Sequence, residues 1–218
     1  GLLNALYAYE GKVKSKLDYA KEAIYIEKEI LNENVGVQDQ LAAAYGGLNY
    51  MKLSSSGYEV NPIILSKERK LALDSTLLLY YTGINRFATE VLKEQIEKTK
   101  EKKVMVELKD IYDMVQDGIK ILSDDSIPLS DFGNLLDKTW QAKKKISSAI
   151  SNGPIDEMYE IAIKSGALGG KLLGAGGGGF FLFYVNKENQ EPFREKMGNF
   201  IEIPFSFEEE GSRIIHLS

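Results

Sequence analysis

Apolar residues recur at the spacing of an α-helix along most of this chain. These stripes predict helices over about residues 15–31, 84–96, 104–122, 129–146 and 154–165. A shorter helix is predicted from Asp39 to Tyr45, because Gly46 and Gly47 follow it. Alternating or aromatic-rich segments predict strands at LNYMKL, YEVNPIIL, STLLLYYTG, GKLLGAG, FFLFYV, IEIPFSF and RIIHLS, while KENQEPFREKMG is predicted to be a helix.

The order of these elements indicates an α+β fold. Two strands joined by a Ser/Gly turn precede the long helices, and the C-terminal part runs strand, strand, helix, strand, strand. This succession favours a largely antiparallel sheet with helices packed on it. The sequence shows no internal repeat and no low-complexity linker, and we place a domain boundary between residues 70 and 71.

The composition limits the chemistry more than it limits the fold. The chain has 218 residues, a formal net charge of −5, no Cys and one His, His216. The absence of Cys excludes disulfides, zinc–thiolate sites and Cys nucleophiles, and the single His excludes multi-His metal sites. Catalysis would rest on carboxylates, amines and hydroxyls, with an oxygen-liganded ion such as Mg²⁺ as helper. The acidic balance argues against a nucleic-acid partner, and no apolar run reaches the roughly 20 residues of a membrane helix.

Glycines are concentrated around KLLGAGGGGFFLFYV, and eight of them lie from Gly166 to Gly179. Gly174, Gly176 and Gly179 satisfy the pattern G-x-G-x-x-G, but a strand rather than a helix is predicted to follow, which argues against a dinucleotide-binding fold. A Walker A loop is excluded because no Gly-Lys-Ser/Thr follows. Two interpretations stay open: a tight strand connection against a neighbouring backbone, or a loop that closely approaches a phosphate loop or ligand.

Glu27 lies on the apolar stripe of the first long helix, between Ala23 and Leu31. A buried carboxylate has to be paired or to bind a metal, because its desolvation otherwise costs several kcal/mol. Glu27 is therefore a candidate metal ligand, or else a structural carboxylate held by an Arg or by backbone N–H groups.

Asp39 lies twelve residues after Glu27, at or near the start of the short helix. Backbone N–H groups favour a negative charge there, as they do for an ordinary N-cap Asp. Gln38 and Gln40 flank it and three alanines follow, so little side-chain bulk would keep a ligand away. The two carboxylates could divide the work, one binding a metal and the other meeting a hydroxyl group.

Together these stretches resemble the GHMP kinases, the family named for galactokinase, homoserine kinase, mevalonate kinase and phosphomevalonate kinase. GVQDQ is similar to the galactokinase segment whose Asp acts on the sugar hydroxyl, and KLLGAGGGGFFLFYV is similar to the family's third motif. Three further stretches resemble the D-glycero-D-manno-heptose 7-phosphate kinases of this family: YYTGINRFATEVLKEQ, KTWQAKKKISSAISN and IDEMYEIAIKSGALGGKLLGAGGGGF. The likeness covers nearly the whole chain.

The resemblance implies a two-domain α+β architecture. Residues 1–70 would be the remainder of an N-terminal domain of the ribosomal protein S5 domain 2-like type. Residues 71–218 would form a ferredoxin-like C-terminal domain with an antiparallel sheet and several helices. The family's first motif and its Ser-rich phosphate loop have no counterpart, and GLLNAL resembles the helix that follows that loop. We therefore expect the chain to be the C-terminal two-thirds of such a kinase and to be inactive alone.

The implied activity is phosphoryl transfer from ATP to a sugar or sugar phosphate, with D-glycero-D-manno-heptose 7-phosphate first, in nucleotide-activated heptose synthesis. By this resemblance Glu27 binds Mg²⁺, and Asp39 is catalytic and contacts the substrate hydroxyl. Nucleotide contacts are expected at Gly174, Gly176, Gly177 and Gly178. Further substrate contacts are expected at Gly83 and Arg86, although an arginine there could instead form a surface salt bridge.

Several expectations and alternatives accompany this assignment. A cytoplasmic protein is expected, without nucleic-acid or membrane partners, as a homodimer or associated with a missing N-terminal segment. The alternatives are a fucose, galactose or mannose kinase, or a non-catalytic module of the same fold. A nicotinamide-dependent oxidoreductase is a further rival, which the strand after the glycines argues against. The run Lys143–Lys145 is interpreted as a solvated helix face.

Overall fold

The computed structural model describes residues 1–84, 96–99 and 104–216, and its contacts divide the chain into two compact units. The first unit consists of residues 1–64 and 206–218, and the second consists of residues 65–205. The assignment of the two predicted kinase domains to this chain stays a prediction.

The first unit combines three helices with a β-hairpin. Its elements are the helices Leu2–Tyr9 (α1), Lys16–Tyr25 (α2) and Gln38–Tyr45 (α3) and the strands Asn49–Ser54 (β1) and Gly57–Pro62 (β2). A capping box between Ser15 and Asp18 starts α2, because each of these residues bonds the other's backbone N–H. Ala20, Leu41 and Ala44 form the buried centre, against which apolar side chains of the hairpin pack. The predicted strands in LNYMKL and YEVNPIIL are thus confirmed.

The C-terminal tail belongs to the first unit and runs beside α3. The N–H of Ser212 donates to the carbonyl of Ala43 at 2.9 Å, and the N–H of Gly47 donates to the carbonyl of Glu208 at 2.6 Å. RIIHLS forms no strand in its described part, residues 213–216, so that prediction is wrong. Its side chains alternate in polarity as in a strand, but the tail bonds to a helix and a loop instead of a strand ladder.

The second unit holds most of the predicted helices. Its helices are Lys67–Thr76 (α4), Met105–Ser123 (α5), Ser130–Ile146 (α6), Gly153–Lys164 (α7) and Gln190–Lys196 (α8). The predicted helices over 104–122, 129–146 and 154–165 are confirmed, whereas most of the stripe over 84–96 lies outside the described residues. In the described part of the chain, no helix combines the length and the apolar character needed to cross a bilayer.

A four-stranded antiparallel sheet organises the second unit. The strands are Leu77–Tyr81 (β3), Ala167–Leu172 (β4), Phe180–Val185 (β5) and Ile201–Ile203 (β6), in the order β4-β5-β3-β6. Helices follow β3, the pair β4 and β5 comes next, and α8 leads to β6, which is the ferredoxin-like succession. The structure therefore confirms the predicted α+β fold with an antiparallel sheet, although β6 ends before the rest of IEIPFSF.

Helix α6 lies unusually close to β4. A Cβ atom at Gly169 would be 2.1 Å from the carbonyl oxygen of Gly133, so only glycine allows this approach. Trp140 of α6 is completely buried, and its ring meets that of Phe181 edge-on at 5.4 Å between centroids. This packing fixes the end of α6 beside the loop that joins β4 to β5.

Candidate functional site

Glu27 lies on a π-helical turn that continues α2. The turn spans Ile26–Ile30, and the N–H of Leu31 donates to the carbonyl of Ile26 at 2.9 Å, five residues back. Such turns are rare and often occur at functional sites. The wider turn changes the face that each side chain occupies, so Ile30 and Leu31 are 57% exposed. The predicted buried stripe therefore ends at Ile24, and Glu27 is only half-buried.

Asp39 is the second residue of α3, and its side chain is exposed. The N-cap is Val37, which forms no side-chain capping bond, so Asp39 is not the N-cap residue that one interpretation required. Its position in the first turn still places a carboxylate where the helix N-terminus favours negative charge. The prediction of a short helix ending at Gly46 is confirmed, since Gly46 is the C-cap with a φ of 65°.

Gln40, the residue after Asp39, contacts the Glu27 carboxylate. Its side-chain Nε2 donates a hydrogen bond to Oε2 of Glu27, while its Oε1 is buried without a hydrogen-bond partner among the described residues. Glu27 thus receives a neutral donor, and no ion pair joins it to a described Lys or Arg. A neutral partner leaves the charge of the carboxylate uncompensated, which suits a cation ligand better than a structural ion pair does.

Glu27, Asp39 and Gln40 line one cavity of about 480 Å³ in the first unit. Gly36 and Ala43 line the same cavity and contribute little bulk, while Asn4 and Tyr19 add polar groups. In the described part of the chain, no group of three or more His, Asp and Glu side chains is arranged to hold a metal by itself. A cation here would therefore need oxygens from a ligand as well as the Glu27 carboxylate.

The glycine-rich loop of the second unit, residues 173–179, joins β4 to β5. The N–H of Gly177 donates to the carbonyl of Ile150 at 2.8 Å, and that of Gly179 donates to the carbonyl of Ile84 at 3.0 Å. A Cβ at Gly178 would lie 2.4 Å from that Ile84 oxygen. Close approach of neighbouring backbone thus explains part of the glycine content, as one of the two open interpretations proposed. The strand β5 follows directly, as predicted, so the loop is not a dinucleotide fingerprint.

Two predicted substrate residues follow β3. Gly83 is exposed, has a φ of 73° and has open space around its Cβ position. Its positive φ, and not a steric contact, therefore favours glycine there. Before it, the Oγ1 of Thr82 donates to the carbonyl of Gly179 at 2.9 Å and ties this segment to the glycine-rich loop. Arg86 lies outside the described residues.

The lysine run is not one uniform solvated face, so that prediction is wrong for Lys143. Lys145 is exposed, and Lys144 pairs with Asp156 at 3.2 Å. Lys143 is half-buried, and its Nζ donates to the carbonyl of Gly174 at 2.5 Å. Burial and the nearby Lys171 lower the pKa of Lys143 to about 8. Its spacing of three residues from the buried Trp140 is the sequence signal that would have distinguished it.

Residues 127–203 match the protein family described as GHMP kinases C terminal. The chain is 33% identical over 218 residues to D-glycero-alpha-D-manno-heptose 7-phosphate kinase from Campylobacter jejuni, covering 97% of this chain and 62% of that protein. It is 28% identical to L-fucokinase/L-fucose-1-P guanylyltransferase from Bacteroides fragilis, over 88% of this chain and 20% of that protein.

The fold is shared with a solved heptose kinase. A crystal structure of a D-glycero-D-manno-heptose 1-phosphate kinase from Bacteroides thetaiotaomicron superposes with a TM-score of 0.64 at 25% identity, over 98% of this chain and 60% of that one. The chain thus spans about three fifths of the length of each of these two heptose kinases.

Proposed function

Because residues 127–203 match the GHMP kinases C terminal family and the chain is similar to two heptose kinases, we propose that it belongs to the GHMP kinase family and is part of an enzyme that transfers a phosphoryl group from ATP to a sugar or sugar phosphate. The observation that carries the proposal is that Glu27 and Asp39 line the same cavity, with Gln40 bonded to Glu27. Phosphoryl transfer requires positioning and charge stabilisation more than covalent chemistry from the protein, and two carboxylates with separate tasks meet that need.

The two carboxylates have different surroundings that suit different tasks. Asp39 is exposed at a helix start, where it can accept a hydrogen bond from a sugar hydroxyl and take its proton. Glu27 has no described cationic partner and can hold Mg²⁺, and the buried Oε1 of Gln40 is a second oxygen without a donor. When bound, Mg²⁺ supplies charge neutralisation for the terminal phosphates of ATP.

The favoured acceptor is D-glycero-D-manno-heptose 7-phosphate. The support for it is the likeness to the Campylobacter jejuni heptose 7-phosphate kinase over 97% of this chain. Fucose is the second candidate, since the chain also resembles a fucokinase at 28% identity, and galactose follows because the chain resembles a galactokinase at 26% identity. Mannose is the remaining alternative acceptor. A non-catalytic module would not need to retain both Asp39 and Glu27.

An ADP-release assay with these four acceptors tests the proposal. It is run with ATP and Mg²⁺ on a polypeptide that carries these residues. A parallel incubation with NAD in place of ATP, followed by NADH absorbance, is the control for an oxidoreductase. We expect ADP release that depends on the heptose 7-phosphate and exceeds the rates with fucose, galactose and mannose. A folded, ATP-binding polypeptide that releases no ADP with any acceptor would favour the non-catalytic module.

Replacing Glu27 with Gln should raise the Mg²⁺ concentration needed for half-maximal activity by about tenfold or more, a size typical of damage to a metal site. A glutamine can still accept the bond from Gln40, so the local fold should persist. The KM for the sugar should change little, because Glu27 is assigned to the metal and not to the acceptor. Magnesium titrations of the two proteins measure the effect.

The matched control is Glu29→Gln, which removes an exposed carboxylate from the same π-helical turn. This control should titrate with Mg²⁺ like the unmodified protein. If Glu27→Gln and Glu29→Gln give the same curve, Glu27 is a structural carboxylate.

A further inference from the structure

Two lysines lie beside the glycine-rich loop of the second unit without a carboxylate partner. Lys143 comes from the last turn of α6, and Lys171 comes from β4, just before the loop begins. Both side chains are half-buried, and they are close enough for Lys171 to lower the pKa of Lys143 by charge repulsion. Burial also lowers the pKa of Lys171 itself. The fold therefore holds two like charges together in a partly desolvated place.

The acids nearest along the chain are engaged elsewhere. Asp137 of α6 accepts bonds from the hydroxyl of Tyr159 at 2.6 Å and from the amide of Gln141 at 2.9 Å. Asp156 of α7 pairs with Lys144. Among the described residues, neither Lys143 nor Lys171 forms an ion pair with a carboxylate. Burying a charge without a counter-charge costs free energy, so such a pair is unfavourable unless a ligand supplies the counter-charge.

The loop next to these lysines offers further donors. The N–H groups of Gly177 and Gly179 are bonded to carbonyls of the same unit, whereas that of the half-buried Gly178 has no acceptor among the described residues. Among the described residues, the hydrogen bond that the Lys143 ammonium donates goes to the carbonyl of Gly174, which neutralises no charge. Ammonium groups together with free backbone N–H groups are the donors that bind phosphate in proteins.

We propose that Lys143 and Lys171, together with the glycine-rich loop, bind a terminal phosphoryl dianion. The inference that an anion binds here depends only on the geometry of the second unit. The inference that this anion is a phosphate rests on the proposed function. Two ligands of that reaction carry such a group: ATP, and the phosphate ester of a sugar phosphate acceptor. The dianion pairs with two ammonium groups that the described part of the chain leaves without a counter-charge.

Binding to the 218-residue chain itself tests the proposal, because no turnover is required. The chain is titrated calorimetrically at pH 7 with Mg²⁺-free ATP, with mannose 6-phosphate as the sugar phosphate, and with mannose as the uncharged control. Lys143→Met and Lys171→Met should each weaken binding of at least one phosphorylated ligand by about tenfold or more, as expected for the loss of a charge-assisted hydrogen bond. Lys145→Met removes an exposed charge from the same run and should leave binding unchanged.

The outcomes separate the two sources of phosphate. If the two lysine variants bind only ATP more weakly, the site binds a phosphate of the nucleotide. If they bind only mannose 6-phosphate more weakly, the site binds the phosphate of the acceptor. Equal affinities in the Lys143→Met and Lys145→Met variants would overturn the proposal, as would the absence of binding of either phosphorylated ligand by the folded chain. Neither result would affect the kinase assignment, which is judged by acceptor-dependent ADP release.

The pH dependence of phosphate binding provides a second measurement that needs no variant. With the pKa of Lys143 lowered to about 8, this group loses its proton as the pH rises from 7 to 9. A phosphate monoester is already a dianion above pH 7, so the ligand does not change charge over this range. Affinity should therefore fall across the range, and the fall should be smaller in Lys143→Met. Lys171, the exposed Lys145 and the Lys144–Asp156 pair are the other charged groups at this end of α6, and a pH-independent affinity would contradict the assignment of Lys143.

Discussion

Replacing Asp39 with Asn is expected to lower kcat for sugar phosphorylation by about 10²- to 10⁴-fold, the usual contribution of a general base. The amide keeps the size of the side chain but cannot accept the hydroxyl proton. Asp39 is exposed and forms no side-chain hydrogen bond among the described residues, so its loss should not disturb the fold. The affinity for ATP should stay within about twofold, because the role assigned to Asp39 concerns the acceptor hydroxyl. Steady-state kinetics with both substrates varied give the two values.

Glu33→Gln is the matched control for Asp39→Asn. Glu33 is an exposed acid in the segment between the π-helical turn and α3, outside the set of residues that line the cavity. Its replacement should leave kcat unchanged. A near-normal kcat in Asp39→Asn would remove Asp39 from the mechanism, whatever the chain phosphorylates.

Gly178→Ala is expected to destabilise the second unit by about 2–3 kcal/mol, the size of an overpacked contact that cannot relax. The added Cβ would lie 2.4 Å from the carbonyl oxygen of Ile84 and 3.0 Å from its carbon. That carbonyl also accepts the N–H of Gly179 at 3.0 Å, so relief of the contact would disturb this bond. Denaturant unfolding can be followed by tryptophan fluorescence, because the only Trp of the chain, Trp140, lies in this unit.

Two other glycines separate steric contact from backbone strain. Gly174→Ala meets open space but requires a φ of 71°, which costs about 1–2 kcal/mol for a residue with a Cβ. Gly153→Ala meets open space at an ordinary φ and should change the free energy of unfolding by less than about 0.5 kcal/mol. The expected order of destabilisation is therefore Gly178, Gly174, Gly153. Gly178 has no positive φ, so a loss there no larger than the loss at Gly153 would contradict the steric role of the contact with Ile84.

Periodicity predicts the elements whose apolar faces are continuous. Helices α5, α6 and α7 and strand β5 carry such faces, and the structure has them close to the predicted bounds. Helix α4 is not predicted, because Leu73 is its only buried large apolar residue. The buried Arg69 anchors it instead, donating from Nε to the carbonyl of Leu122 at 2.8 Å. Arg69 and Leu122 are far apart in the sequence, so their contact cannot be predicted from the local pattern of apolar residues.

The candidate site could be predicted only in part for similar reasons. The spacing of Glu27 and Asp39 and the GVQDQ segment identify the two carboxylates in the sequence. The π-helical turn that exposes Ile30 does not follow from an apolar stripe, because the stripe is phased on 3.6 residues per turn. The spacing of Lys143 from Trp140 indicates the packed side of α6, but its contact with the loop between β4 and β5 joins distant parts of the sequence and cannot be predicted from α6 alone.

The product of the reaction tests the central claim most directly. A polypeptide that carries these residues is incubated with ATP, Mg²⁺ and D-glycero-D-manno-heptose 7-phosphate, and the mixture is followed by ³¹P NMR, with the Asp39→Asn variant in parallel. The account predicts that a second phosphate ester appears on the sugar in step with ADP, and that the variant forms it at least about a hundredfold more slowly. Turnover of ATP to ADP and free phosphate without a new sugar phosphate, or equal product formation by the variant, would contradict it.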